Sequence, residues 1–136
     1  MKTINLFLIT WILVFVNISC SAQNEKDKQS EKVSKSGNIE VYYFHFTRRC
    51  ATCNAVENVS KEAVAALYGD KVKFMGYNLD EEAGQKIGKE LNVSGQTLLI
   101  VAGDKKIDIT NEGFMNARSN PDKLKAIIRE KIDPLL

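Results

Sequence analysis

The stretch 39-IEVYYFHFTRRCATC-53 places a C-x-x-C pair, Cys50 and Cys53, directly after a run of β-branched and aromatic residues. Residues 39–46 show little polar alternation, which predicts a central strand covered on both faces. From about residue 50 to residue 68, apolar residues recur at helical spacing. They are Val56, Val59, Ala63 and Leu67. Both thiols are therefore expected at a helix N-terminus, where one can become a reactive thiolate.

The rest of the domain predicts three more strands and two more helices. The strands are residues 71–79, 97–102 and 106–110. Asp80 is predicted to cap a short helix with Ala83, Ile87 and Leu91 on one face, and Asn120-Pro121 to cap the last helix. The order β-α-β-α-β-β-α predicts an α/β three-layer sandwich with a central mixed four-stranded sheet. Helical crossovers favour parallel pairing of the first three strands, with the final hairpin adding an antiparallel edge.

The N-terminal part of the 136-residue chain has the pattern of an export signal. In residues 1–19, Lys2 precedes an apolar stretch too short to span a bilayer comfortably. Ser19-Cys20 resembles a bacterial lipobox, a small residue followed by a cysteine, which implies that Cys20 is lipidated and anchors the protein in the membrane; ordinary cleavage after Ala22 is the alternative. Residues 20–37 are polar and predict a flexible tether. Residues 38–136 then form one domain in the periplasm or cell envelope.

The overall charge argues against one class of partner. The net charge is +2, whereas a protein that binds nucleic acid needs a clearly basic face. The bond closing the four-residue ring between Cys50 and Cys53 constrains the chain little, so redox or metal chemistry is a better expectation than a structural disulfide. These two cysteines and a distant His45 do not supply four ligands for zinc. We expect no resident metal and no bound cofactor.

The cysteines have different expected roles. Cys50, at the exposed end of the helix, is the candidate nucleophile, and Arg48 and Arg49 add cations that favour its thiolate. Its pKa is therefore predicted below about 8.5, the ordinary value for cysteine. Cys53 is the candidate resolving thiol, which attacks a mixed disulfide on Cys50 and releases a redox protein partner. A structural disulfide between the two is the alternative, and the arginines are alternatively a solvated loop tip.

Two other polar residues lie near the pair in sequence. His45 falls inside the first strand, which favours a packed, hydrogen-bonded core histidine over a base or metal ligand. Glu57 follows Cys53 by one turn and is a candidate proton relay. On a helix rich in exposed polar groups, a solvated side chain is the favoured interpretation.

The element order, with C-x-x-C between the first strand and first helix, resembles the thioredoxin fold over residues 39–132. The resemblance implies that Gln96 and Thr97 lie in a loop facing the cysteines. Three positions depart from thioredoxins. Gln96 stands where they have a cis-proline, Phe44 where they bury an acid, and Arg49 where they usually have tryptophan. A thioredoxin-like protein with these three departures is expected to be a partner-specific redox module rather than a general disulfide reductase.

The strings 44-FHFTRRCATCNAVE-57 and 95-GQTLLI-100 resemble more closely a family of small exported nitrophenyl compound nitroreductase subunits linked to arsenic-resistance gene clusters. That resemblance implies a redox or electron-delivery role beside a partner. Two alternatives stay open. One is a carrier for a soft metal or arsenite, because two thiolates suit Cu(I) or As(III). The other is an interaction subunit without catalytic activity.

Overall fold

The computed structural model describes residues 38–136. The signal segment, the lipidation of Cys20 and the tether are predictions that lie outside the described residues. The strands are β1 (Ile39–His45), β2 (Val72–Asn78), β3 (Thr97–Ala102) and β4 (Lys105–Asp108). The helices are α1 (Ala51–Tyr68), α2 (Glu82–Leu91), α3 (Thr110–Asn116) and α4 (Pro121–Ile132). Short 3₁₀ turns, Gly69–Lys71 and Asp133–Leu135, follow α1 and α4.

The four strands form one mixed sheet in the order β2-β1-β3-β4. β1 is central, and its side chains alternate between two apolar layers because successive residues of a strand point to opposite faces. Val41 and Tyr43 pack on the side of α1, α3 and α4, and Tyr42 and Phe44 pack on the side of α2. The predicted central strand covered on both faces and the three-layer α/β fold are confirmed.

The direction predicted for β3 is wrong. β1 and β2 are parallel, as expected, but β3 is antiparallel to β1, with Thr97 opposite Phe44. Lys106 Nζ donates to Leu91 O at 3.0 Å, so α2 ends beside β4. This point lies at the end of the strands opposite to the end where β2 finishes. Residues 92–96 then have an extended reach of about 17 Å, enough to bring the chain back along the roughly 15 Å of α2. The chain therefore enters β3 at the same end of the sheet where it left β2.

Two helix starts differ from the prediction. The N-cap of α2 is Glu81 rather than Asp80, because the Asp80 carboxylate accepts the backbone N–H of Thr47. Ala83 is exposed, and Gly84 takes the buried position instead. The start of α4 is confirmed, since Asn120 Oδ1 accepts the Lys123 N–H at 3.1 Å and Pro121 is the first helical residue.

The helix α3 was not predicted. β4 ends at Asp108, and the Asp108 carboxylate accepts both the backbone N–H and the hydroxyl of Thr110. This local turn starts a helix where the sequence predicts strand to residue 110. Gly113 of α3 lies against Leu98 and Val56, so the helix closes the core beneath the C-x-x-C end of α1.

Candidate functional site

Cys50 occupies the N-cap of α1. Its backbone is extended, with φ −86° and ψ 167°, and its Sγ accepts the Cys53 N–H at 3.2 Å. A sulfur thus takes the acceptor role that Ser or Asp commonly plays at helix starts. Within the described part both cysteines are free thiols; Cys50 is exposed, whereas Cys53 is 3% exposed. One sulfur is accessible to another molecule and the other is enclosed.

The pKa of Cys50 is lowered, which agrees with the predicted direction. The largest cause is the hydrogen bond with the Cys53 side chain, followed by the hydrogen bond from the Cys53 backbone N–H. Both favour the charged sulfur because a hydrogen bond to an anion stabilises the anion. Hydrogen bonds from Cys53 at the helix start are therefore the main cause of the shift, as the predicted helix position requires, and neither Arg48 nor Arg49 is among its main causes.

The two arginines have different surroundings. Arg48 is exposed. Arg49 turns inward: its guanidinium forms an ion pair with Glu57, and its Cζ lies 5.9 Å from the centre of the Tyr43 ring. The charge of Arg49 is thus already matched by a carboxylate, whereas Arg48 can meet solvent or a partner.

Glu57 is not the solvated side chain that the sequence favoured. Its side chain is 22% exposed and is held by Arg49. A Cβ added to Gly76 of β2 would lie 2.7 Å from Glu57 Oε1, so the carboxylate occupies space left by the missing side chain. The sequence signal for this arrangement was the four-residue interval between Cys53 and Glu57, which places both on one face of a helix.

Gln96 lies against the enclosed sulfur. Its Oε1 is 3.7 Å and its Nε2 3.6 Å from Cys53 Sγ. An amide offers an acceptor to a thiol and a donor to a thiolate, so this contact suits either state of Cys53. Thr97 is the first residue of β3 rather than a loop residue, and its hydroxyl donates to Gly95 O at 3.0 Å in the preceding loop. The structure therefore brings Gln96, but not the Thr97 hydroxyl, to the cysteines.

The loop before Cys50 is tied to the end of β2. Thr47 N–H donates to Asp80 Oδ2 at 2.7 Å, and Asn78 Nδ2 donates to the Thr47 hydroxyl at 3.0 Å. The Thr47 backbone N–H, and then its hydroxyl, lower the pKa of Asp80 by donating hydrogen bonds to the carboxylate. These contacts fix the path of the chain into the C-x-x-C.

His45 is the last residue of β1 and is only half-buried. Its Nδ1 lies 3.1 Å from Phe46 O, and its ring centre lies 5.9 Å from that of Tyr43. The expectation of a core histidine is wrong because the strand ends at this residue and the chain leaves the sheet.

Tyr43 is the residue beneath the site that the sequence assigned only to packing. It is buried, with 0% exposure, and its hydroxyl has no hydrogen-bond partner among residues 38–136. Burial first, and then the charge of Cys53, raise its pKa to about 12. The phenol is therefore neutral at physiological pH.

In residues 38–136 we find no group of three or more His, Cys, Asp or Glu side chains arranged to hold a metal ion. Over the same residues, every helix falls short of the length and apolar character needed to cross a membrane.

Comparisons with known proteins bear on the fold. No protein-family model matches the chain, and no curated protein does so. Oxidized thioredoxin O2 from Arabidopsis thaliana matches with 22% identity and a TM-score of 0.54, over 74% of this chain and 81% of the thioredoxin. Trxlp from Edwardsiella tarda matches with 16% identity and a TM-score of 0.52, over 69% of this chain and 84% of its own. With the mixed sheet and the C-x-x-C at the start of α1, these matches show that the chain has a thioredoxin-like fold.

Proposed function

We propose that the protein is a thiol-disulfide redox protein that works through Cys50 and Cys53. The observation that carries this proposal is the exposed Cys50 Sγ at the N-cap of α1, which accepts the Cys53 N–H and has a lowered pKa. A thiolate is the nucleophile of thiol-disulfide exchange. Cys53, enclosed one turn later, is the resolving thiol.

The proposed reaction has two exchange steps. The Cys50 thiolate attacks one sulfur of a partner disulfide, forms an S–S bond to it, and releases the other partner sulfur as a thiolate. Cys53 then loses its proton to solvent and attacks Cys50 Sγ. A Cys50–Cys53 disulfide forms, the second partner sulfur leaves as a thiolate, and the partner has gained two electrons. Gln96 Nε2, 3.6 Å from Cys53 Sγ, donates to the resolving thiolate as it forms.

We also propose that the protein serves a specific redox partner rather than many substrates. Gln96 lies against Cys53 at the position where thioredoxins have a cis-proline, and buried Phe44 replaces their acid. Arg48 is exposed beside Cys50 and offers a cation to an acidic partner surface. The sequence resemblance to nitroreductase-associated subunits supports a nitroreductase as this partner.

The proposed location is the cell envelope, with a lipid on Cys20 tethering the domain to the membrane. The support is the sequence of residues 1–20 alone. Membrane fractionation of the full chain and of Cys20→Ala tests it. Retention of the wild-type protein and release of the variant are expected; release of both would reject the anchor.

Trapping of mixed disulfides tests the redox function. In Cys53→Ala, the resolving thiol is absent, so Cys50 should accumulate a mixed disulfide with an exported protein. Cys50→Ala is the matched control and should trap none, because Cys53 is enclosed. Equal trapping by both variants, or none by either, would contradict the assignment. Stoichiometric arsenite uptake by the reduced protein, without trapping, would favour the carrier function.

A further inference from the structure

An ion pair lies next to the two cysteines in the fold. Arg49 directly precedes Cys50, and Glu57 follows Cys53 by four residues on α1. The two side chains are 23% and 22% exposed, so water screens them only in part. Water therefore screens their charges less than it screens those of fully exposed side chains.

The backbone leaves room for this pair. Gly76 of β2 is in register with Tyr43 of β1, and the missing Cβ of Gly76 gives Glu57 Oε1 its space. The Arg49 guanidinium lies over the ring of that same tyrosine. The ion pair is thus held between α1 and the β1–β2 part of the sheet.

The pair and the thiols share surroundings. The pKa of Tyr43 is raised to about 12 first by burial, then by Cys53, and further by Glu57 and Cys50, while Arg49 lowers it. Both thiols and both charges therefore act electrostatically on one buried phenol. At this location a single uncompensated charge changes the free energy of a thiolate more than it would in bulk water.

We propose that Arg49 and Glu57 are a compensating charge pair that sets the stability of the Cys50 thiolate and, with it, the reduction potential of the Cys50/Cys53 couple. The second half rests on the proposed redox function. Arg49 alone would favour the thiolate and Glu57 alone would oppose it. Neither acts on the partner's sulfur, so both are positioning residues. Because a stabilised thiolate stabilises the reduced form, the potential becomes less negative when positive charge dominates.

The other charged or titratable groups around Cys50 do not duplicate the pair. Cys53 lies on α1, the neutral Tyr43 and half-buried His45 come from β1, and Arg48 is exposed to solvent. From the other adjoining segments, Asp80 is bound to Thr47, Gln96 before β3 carries no charge, and α3 presents Gly113 at its contact with α1.

Opposite substitutions test the proposal. Glu57→Gln leaves Arg49 unmatched, so the pKa of Cys50 should fall, and the equilibrium with glutathione should move at least tenfold towards the dithiol, about 30 mV less negative. Arg49→Met leaves the carboxylate unmatched and should move both quantities the other way. The double variant should return to within about threefold of wild type. The glutathione equilibria of wild type and the three variants should converge at pH values well below the Cys50 pKa, where the Cys50 thiolate no longer forms.

Two further variants keep the test decisive. Glu62→Gln removes an exposed carboxylate from the same helix, where it pairs with Lys125 of α4, and should leave both readouts unchanged. Gly76→Ala moves the Glu57 carboxylate without removing a charge, and should shift both readouts in the direction of Glu57→Gln. If one of the charge variants does not fold, Gly76→Ala still tests the proposal.

The outcomes separate the two proposals. If Glu57→Gln and Arg49→Met shift the Cys50 pKa in the same direction, or do not shift it, the charge-pair proposal is wrong. Wild-type protein without a reversible couple would overturn the redox function, while the Cys50 titrations would still decide whether the pair controls the thiolate.

Discussion

At the residue scale, the site depends on which atoms face each sulfur. The sequence predicted the exposed position of Cys50 because a C-x-x-C at a helix start puts its first thiol at the N-cap, whereas the enclosure of Cys53 is a finding of the structure. The sequence did not predict the ion pair of Arg49 with Glu57. That contact needs the space above Gly76, and Gly76 comes from a strand distant in sequence. The inward turn of one arginine is therefore a tertiary effect, which adjacency in the sequence cannot give.

Cys53→Ala should raise the pKa of Cys50. The substitution removes the Cys53 side chain, the largest cause of the lowered pKa, but keeps the backbone N–H that also donates to Cys50 Sγ. The Cys50 pKa should therefore stay below the ordinary cysteine value. The ultraviolet absorbance of the thiolate, followed against pH, measures the Cys50 pKa. Cys20→Ala is included in the variant and in the reference protein, so that Cys50 is the only cysteine of the variant. An unchanged or lower pKa would contradict this description of the N-cap.

At the element scale, local signals predicted the helices that carry their own caps, and long-range contacts decided the others. α4 follows an Asn-Pro start and lies where it was predicted, whereas α2 lost its expected cap because Asp80 is bound to the loop before Cys50. The direction of β3 depends on the return of residues 92–96, and periodicity contains no information about that. Gly84 is the residue at which α2 meets the end of β2.

Gly84→Ala should destabilise the protein by about 1–3 kcal/mol, the usual range for overpacking. Its Cβ would lie 1.9 Å from the backbone oxygen of Asn78, which cannot move without disturbing the end of β2. Gly95→Ala is the matched control, because an added Cβ there meets nothing within 4 Å among the described residues. Urea unfolding measures both. Equal midpoints for the two variants would show that α2 does not pack closely on Asn78.

At the scale of the whole molecule, a continuous apolar run was sufficient to predict a central strand, because such a strand must be covered on both faces. The hydrophobic pattern did not show that a polar cluster lies within one of those layers. Tyr43 belongs to the core by its burial and to the site by its neighbours. Tyr68 similarly joins α1 to the last turn, donating to Asp133 Oδ1 at 2.8 Å.

Alkaline pH should unfold the protein through these two phenols. Burial first, and the Asp133 hydrogen bond next, raise the pKa of Tyr68 to about 12, the same value as for Tyr43. Unfolded tyrosine ionises near pH 10, so this stability is complete below about pH 10 and is lost as the pH rises towards 12. Phenolate absorbance and circular dichroism should change together over that range. Ionisation of all four tyrosines near pH 10 in the folded protein would contradict this prediction.

The proposed redox function requires that Cys50 and Cys53 form one two-electron couple. Equilibration of the protein with glutathione buffers, followed by thiol counting and mass spectrometry, measures this most directly. Both thiols should disappear together, reversibly, into a Cys50–Cys53 disulfide, with the slope of a two-electron process. Thiols that oxidise independently, or that remain reduced throughout, would contradict it.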